Sequence, residues 1–436
     1  MKILFVTEPF TVESLGKAYL ASALKKSGHE VDLLKVNGKD FMKDLKRFKP
    51  DVLAYSTTTG KHQKYLKLNQ EIKKECNVIS VFGGAHPTYF PEMIYEKGVD
   101  VVIRGEAEKS FVELLDDIQI KHKYSRIVNC RMLEQNLDRI PFPNREFLYK
   151  YPENRDNPIK NVITSRGCRF NCGYCLNSLY RSFYEGQNWV RYRSPDNVVR
   201  ECLELKKYPL KIIFFQDDEF LTNPNLYEFL DEYKKQVKVP FHCQIRIEML
   251  TEDKAKKLKD TGCTGVTFAI ESGNDYIRQK ILMRNVPRSK IIEGTEILHK
   301  VGLKFRSENM CGLPGENLNQ MLETLDLNIQ CKPDVAWISI FQPYPRLPLG
   351  DYAQKYGFWD GSFDNIKESF FEDTVLNTTI RKQIVNFQRL FGFVVSFPIL
   401  RKILWWLIKL PNNKLYDFIH LKWKHYLYDK RLYKVK

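Results

Sequence analysis

A chain of 436 residues has room for two or three domains at roughly 100–200 residues each, and 43% hydrophobic with 13% aromatic content excludes a disordered protein. The net charge is +16, and half of that excess lies in residues 401–436, where ten Lys and Arg stand against Asp417 and Asp429. No apolar run approaches the roughly 20 residues of a spanning helix; the longest uncharged one near the end, 390–400, has eleven.

Lys2–Thr7 predicts a buried strand, and Glu8 comes too early for a signal peptide. Leu15, Ala18, Tyr19, Ala21 and Leu24 have helical spacing, and Gly28 ends the helix. Further strands are predicted at 31–36, 51–56, 78–82 and 100–104, with charged amphipathic stretches between them. Five βα units predict a doubly wound, flavodoxin-like parallel sheet over residues 1–125, because parallel strands need crossovers. Such a sheet binds ligands at the carboxyl ends of its strands. Those ends hold Ser56-Thr57-Thr58-Thr59, Gly83-Gly84-Ala85-His86 and Gly105-Glu106, the small residues that a closely approached ligand requires.

Residues 126–159 read as a connector, since Pro141 and Pro143 forbid a regular helix. From 160 to 345 a second βα series follows, with strands predicted at 161–165, 211–215, 241–247, 264–270, 304–310 and 335–341. Ser194 before Pro195 and Asn223 before Pro224 read as N-caps, and Thr251-Glu252-Asp253 opens another helix. Six units predict a partial (β/α)6 TIM-like barrel with its site at the carboxyl rim. Residues 346–436 break the pattern and form a mainly helical, basic and aromatic extension.

The chemistry concentrates in Cys168-Arg-Phe-Asn-Cys172-Gly-Tyr-Cys175, just after the first barrel strand. Three thiolates fill three irons of a cubane cluster and leave the fourth open to an outside ligand. Structural zinc needs four ligands, and no second Cys pair or His cluster lies nearby. The ten cysteines, without an export signal, read as reduced thiols in the cytoplasm, and most outside this motif as small buried hydrophobes.

This spacing, with Tyr174 before the last Cys, resembles the radical S-adenosylmethionine superfamily. Phe214-Phe215-Gln216-Asp217-Asp218, Ala269-Ile270-Glu271-Ser272-Gly273 and Cys311-Gly312-Leu313-Pro314-Gly315-Glu316 resemble it too, in order, at strand ends. The resemblance implies that Cys168, Cys172 and Cys175 hold a 4Fe–4S cluster. It implies that Gln216 and Asp217 lie near the amino group of S-adenosylmethionine, and that Glu271 and Ser272 approach its ribose or methionine. Arg284 or Arg306 would then pair with the methionine carboxylate.

The first half is similar to the cobalamin-binding domain of one class of these enzymes, in Leu15-Gly16-Lys17-Ala18-Tyr19, Gly83-Gly84-Ala85-His86-Pro87 and Arg104-Gly105-Glu106. Ser56, Thr57, Gly83, Gly84, Gly105 and Glu106 would line the cofactor. The Asp-x-His-x-x-Gly motif of many cobalamin domains is absent, so cobalamin is expected without a His ligand, its lower face over residues 56–59.

The family resemblance implies reductive cleavage of S-adenosylmethionine and, with cobalamin, methylation of an unactivated carbon in a small-molecule or lipid-like substrate. Cobalamin-dependent cyclisation or rearrangement is the alternative reaction, and a cofactor sensor without turnover the alternative class. The implied partners are the substrate and a reductant such as flavodoxin or ferredoxin; no nucleic-acid motif is present. The protein is expected in the cytoplasm. The apolar, Trp-rich and cationic run near 397–410 leaves two arrangements open: contact with the inner membrane face, or ordinary packing on the barrel.

Overall fold

The computed structural model describes residues 1–9, 12–36, 40–362 and 365–426. Its backbone forms two compact units: one takes in Met1–Asn161, Leu179–Arg193 and Leu205–Pro209, the other Val162–Ser178, Ser194–Glu204 and Leu210–Lys436.

In the first unit, strands β1 (Lys2–Thr7), β2 (Glu30–Lys35), β3 (Val52–Ser56), β4 (Ile79–Gly83), β5 (Val101–Arg104) and β6 (Ile127–Asn129) form one sheet in the order β2-β1-β3-β4-β5-β6. All pairs are parallel. Side chains alternate across a strand, so Ile3, Phe5, Val31, Leu33, Val52 and Ala54 join one apolar layer and Leu4, Val6, Leu34, Leu53 and Tyr55 another. Helices cover both layers, which is why the central strands β1 and β3 read as mostly apolar runs. The order reverses between β1 and β3, and the crevice for ligands lies beyond that point. The sequence reading missed β6: three residues, none fully buried, carry too little pattern to show.

In the second series, β7 (Ile159–Val162) precedes two short strands, β8 (Ser165–Arg166) and β9 (Arg191–Tyr192). The sheet continues with β10 (Ile212–Phe215), β11 (Phe241–Gln244), β12 (Cys263–Glu271), β13 (Lys304–Cys311) and β14 (Val335–Ile340). Its order is β14-β13-β12-β11-β10-β7, sequential apart from the two short strands. Helices Pro195–Leu205, Leu226–Glu232, Glu252–Asp260, Arg288–Val301 and Leu318–Cys331 lie between the strands. Right-handed crossovers in sequential order put every helix on one face, and the sheet curls into an open barrel. Three boundaries differ from expectation. The strand predicted at 161–165 runs Ile159–Val162 instead, with Ser165–Arg166 in a separate short strand. The helix after Asn223 begins at Leu226, because the Asn223 side chain accepts from Asn225 N at 2.9 Å in a tight turn first. The predicted strand 241–247 stops at Gln244, and Ile247–Met249 is a 3-10 turn.

The extension is helical: Pro348–Lys355, Arg381–Ser396, Arg401–Leu407 and Lys414–Tyr426. Helix Arg381–Ser396 packs on β14 through Ile384, Phe387, Phe391 and Val394. Gly392 permits this approach, since a Cβ there would sit 2.9 Å from the Ala336 carbonyl. Among the described residues, no helix is long and apolar enough to cross a membrane. Lys430, Arg431, Lys434 and Lys436, part of the basic excess, lie outside the described residues.

Candidate cofactor sites

The cysteine loop is fixed by backbone bonds on both sides. Cys175 N donates to Cys172 O at 3.1 Å, Gly173 N to Leu282 O at 2.9 Å, and Leu349 N to Gly173 O at 2.9 Å. Arg246, at the end of β11, donates from Nη1 to Cys172 Sγ at 3.3 Å while its guanidinium lies 3.8 Å from the Phe170 ring centroid. Burial pushes the Cys168 thiol up to about 11 and the Cys175 thiol up to about 12. Thiolate charge at these positions therefore needs a cation in place of the protons, as metal ligation supplies. Three thiols on one short loop with a guanidinium beside one of them suit a cluster.

Asp217, at the end of β10, is buried and accepts at Oδ1 from Thr164 N (3.0 Å), Thr164 Oγ1 (2.8 Å) and the Ser165 hydroxyl. It thereby ties β10 to the start of the cysteine loop. Its Oδ2 has no partner among the described residues, and burial raises the carboxyl to about 6. Gln216 accepts from Gln244 Nε2 at 2.9 Å, a link between the β10 and β11 ends.

At the end of β12 the pairing with β13 slips between Ala269 and Glu271, and Glu271 takes φ +65°, rare outside glycine. The slip turns its carboxylate toward the cysteine loop, where Tyr174 donates its hydroxyl to Glu271 Oε1 at 2.8 Å. Burial pushes Glu271 up to about 7, against the pull of Arg284. Arg284 is buried, donates from Nη2 to Ala269 O at 2.8 Å, and has an unpartnered Nε among the described residues. Ser272 is buried, and Arg278 holds its carbonyl at 2.6 Å. Arg306, the other arginine singled out, instead pairs with Glu308 two residues along β13. The structure thus brings Glu271, Arg284 and Tyr174 together and gives Arg306 a partner on its own strand.

Glu316, after β13, is buried; its Oε2 accepts from Leu313 N at 3.1 Å, and burial raises it to about 8. Its ordinary value is 4.5, so the folded state holds a proton that the unfolded state releases. Stability from this group is therefore greatest below about 4.5 and falls as pH rises toward 8, by at most about 1.4 kcal/mol per pH unit. Urea midpoints measured at pH 5.5 and 7.5 should fall with pH in the wild type, and the fall should be visibly smaller in Glu316→Gln. Equal slopes in both proteins would refute the assignment.

In the first unit, the ends of β3 and β4 are knit together: Thr57 N donates to Gly83 O at 2.8 Å and His86 N to Thr57 O at 3.0 Å. Gly84 has φ +95°, and a Cβ there would lie 2.9 Å from both N and O of Thr57. Thr57 Oγ1 is buried with no partner among the described residues. A glycine cradle with an orphaned hydroxyl suits a bound polar ligand. His86 stacks on His62 at 3.8 Å, and its Nδ1 lies 3.0 Å from Thr59 Oγ1. Gly105 and Glu106 form a separate cluster. Tyr184 accepts from Glu106 N at 2.7 Å, Arg191 pairs with the Glu106 carboxylate, and a Cβ on Gly105 would strike the Tyr184 hydroxyl.

Sequence reasoning missed Arg246 and the Thr164–Ser165 pair, neither of which belongs to a spaced motif. Lys17 stood in a segment singled out by resemblance but was given no role; it is buried and donates to Thr7 Oγ1 at 2.7 Å at the β1 end. Only the position of Arg246, at the one early barrel-strand end without a motif, offered a signal.

An α/β protein with a three-thiol loop at a barrel rim and a glycine-cradled rim on a doubly wound sheet is the class so defined. The Radical SAM superfamily matches residues 162–327 and the B12 binding domain residues 1–115. An uncharacterized methyltransferase of Pyrococcus horikoshii is 30% identical over 390 residues, covering 81% of this chain and 83% of the relative. The cytidylyl-2-hydroxyethylphosphonate methyltransferase of Streptomyces wedmorensis is 25% identical over 392 residues, 72% of each chain. The solved radical S-adenosylmethionine methyltransferase TsrM of Kitasatospora setae superposes with a TM-score of 0.67 at 16% identity, covering 81% of this chain and 76% of TsrM, and so shares its fold. The chain belongs to the cobalamin-dependent radical S-adenosylmethionine enzymes. Its cofactors are a 4Fe–4S cluster, S-adenosylmethionine and cobalamin.

Proposed function

We propose that this enzyme methylates an unactivated carbon of a small-molecule or lipid-like substrate, in the cytoplasm, with a reductant such as flavodoxin or ferredoxin. The observation that carries the reading is the pairing, in one chain, of a three-cysteine barrel loop with a B12-binding unit, in a relative of a methyltransferase 30% identical to it. When bound, the cluster supplies the electron that cleaves the sulfonium, and cobalamin supplies the methyl group.

The chain's own residues bind and orient. Cys168, Cys172 and Cys175 would hold three irons, and Arg246 would offset thiolate charge at Cys172. Asp217 Oδ2 and Glu271 are the acceptors for an ammonium, and Arg284 is the cation for a carboxylate, so together they match the methionine end of S-adenosylmethionine. Tyr174 positions Glu271 and makes the cluster loop and the ligand site one hydrogen-bonded unit. Ser56, Thr57, Gly83 and Gly84 would line cobalamin; Gly105 and Glu106 would shape the same rim through Tyr184 and Arg191.

The test is product balance. Reduced, reconstituted enzyme is given deuteriomethyl S-adenosylmethionine and fractionated small-molecule and lipid extracts. Methyl transfer predicts 5′-deoxyadenosine and S-adenosylhomocysteine in equal amounts and a product carrying the labelled methyl. Turnover yielding 5′-deoxyadenosine but no S-adenosylhomocysteine would instead mean cyclisation or rearrangement, and neither product would mean a sensor.

A further inference from the structure

The extension's two last helices are apolar on the side that packs and apolar again on the side that faces out. Leu404 and Ile408 are fully buried and Tyr416 nearly so, all in the core formed with helix Arg381–Ser396 and β14. That inner packing is the second of the two arrangements the sequence left open. It leaves unexplained what lies opposite. Ile403 and Trp406 on helix Arg401–Leu407, Ile399 in the 3-10 turn before it and Leu410 just after it are 47–71% exposed, with Trp406 at 71%. Leu415, Phe418 and Leu421 are likewise exposed on helix Lys414–Tyr426, at 54–61%. A solvent-facing helix surface normally carries polar residues at these positions, and a helix apolar all round has a second apolar environment.

The charges say which environment. Of the acids between 397 and 426 the sequence has one, Asp417, and it pairs with Arg389. Arg401 pairs with Asp326. Lys402, Lys409, Lys414 and Lys422 are exposed, and none has a carboxylate partner among the described residues. Lys409 lies 4.3 Å from the Trp405 ring centroid and 5.9 Å from that of Trp406, and Lys422 lies 5.8 Å from that of Phe418, so cations border the exposed rings. A second protein surface would have to cover at once an apolar stripe and four lysines without a carboxylate partner among the described residues. An anionic bilayer offers acyl chains for the stripe, headgroups for Trp406 and phosphates for the lysines.

We propose that residues 397–422 dock this enzyme on an anionic membrane surface, with Ile399, Ile403, Trp406 and Leu410 and the outer face of helix Lys414–Tyr426 entering the interface. The inference does not depend on the methyl-transfer reading, and its test reads out lipid binding apart from turnover.

Full-length protein is floated with phosphatidylcholine vesicles, with and without phosphatidylglycerol. The wild type is expected to float with the anionic vesicles, and high salt to weaken binding. Replacing Lys402, Lys409, Lys414 and Lys422 with Gln should cost about fivefold in partition per lysine. Ile403→Gln, Trp406→Gln and Leu410→Gln combined should cost at least about tenfold on both lipids. All substituted side chains are exposed, so the melting temperature and 5′-deoxyadenosine formation should not change. Failure of the wild type to float, or flotation equal in the wild type and both variants, would overturn the proposal. So would dimers in light scattering that the apolar variant dissolves while no vesicle binding is seen, because the stripe would then cover a second copy.

Discussion

Replacing Cys168, Cys172 and Cys175 together with Ala is expected to abolish the visible absorption of the reconstituted protein and all formation of 5′-deoxyadenosine. The three thiols are the proposed cluster ligands on the loop that the backbone bonds of Gly173 and Cys175 hold in shape. Those bonds do not involve the thiols, so the loop should keep its course in the variant and the far-ultraviolet circular dichroism should stay the same. Each single variant should lose most of the cluster as well, because two thiolates cannot replace three on a cubane face. Iron content and absorption read the cluster, and chromatography of the quenched reaction reads the cleavage. Retained iron with turnover in the triple variant would sink the assignment of these cysteines.

Gly84→Val should remove cobalamin binding while leaving the cluster in place. Position 84 sits at φ +95°, a region that a β-branched residue enters at a cost of about 1–3 kcal/mol. The larger effect is contact. The added Cβ would lie 2.9 Å from Thr57 N and O and 3.0 Å from Ser56 Oγ, and backbone atoms cannot swing aside as a side chain can. Relief requires the 56–57 loop to separate from residues 83–86, which breaks the Thr57–Gly83 and His86–Thr57 bonds that shape the rim. Gly28→Ala is the matched control, with φ +84° and nothing within 4 Å of the new Cβ. It should cost about 1 kcal/mol of stability and keep cobalamin. Retention of hydroxocobalamin on gel filtration measures both. Wild-type retention by Gly84→Val would remove the β3 and β4 ends from the cofactor site.

The order of elements was legible because many strands are largely apolar runs and many helices have their own spacing and stop. β1 and β12 were visible as buried runs; β6, with two half-buried residues and one exposed, was not. The cysteine motif was legible for the same reason: its three members are close in the chain, so no fold is needed to bring them together. By itself the sequence therefore determined the two α/β sheets and the three-cysteine motif proposed to hold the cluster.

Only tertiary structure could decide what is built from distant residues. Tyr174 meets Glu271 across 97 positions and Arg246 meets Cys172 across 74, and no local pattern encodes such pairs. The surroundings of Arg284 and Arg306 likewise differ only in space: Arg284 acts electrostatically on Glu271, and Arg306 pairs with Glu308 on its own strand. The last helices show the division most clearly. Composition marked residues 397–410 as apolar and cationic but could not say which side chains pack inward. That depends on which face meets helix Arg381–Ser396, and burial of Leu404 and Ile408 there is what leaves Trp406 outside.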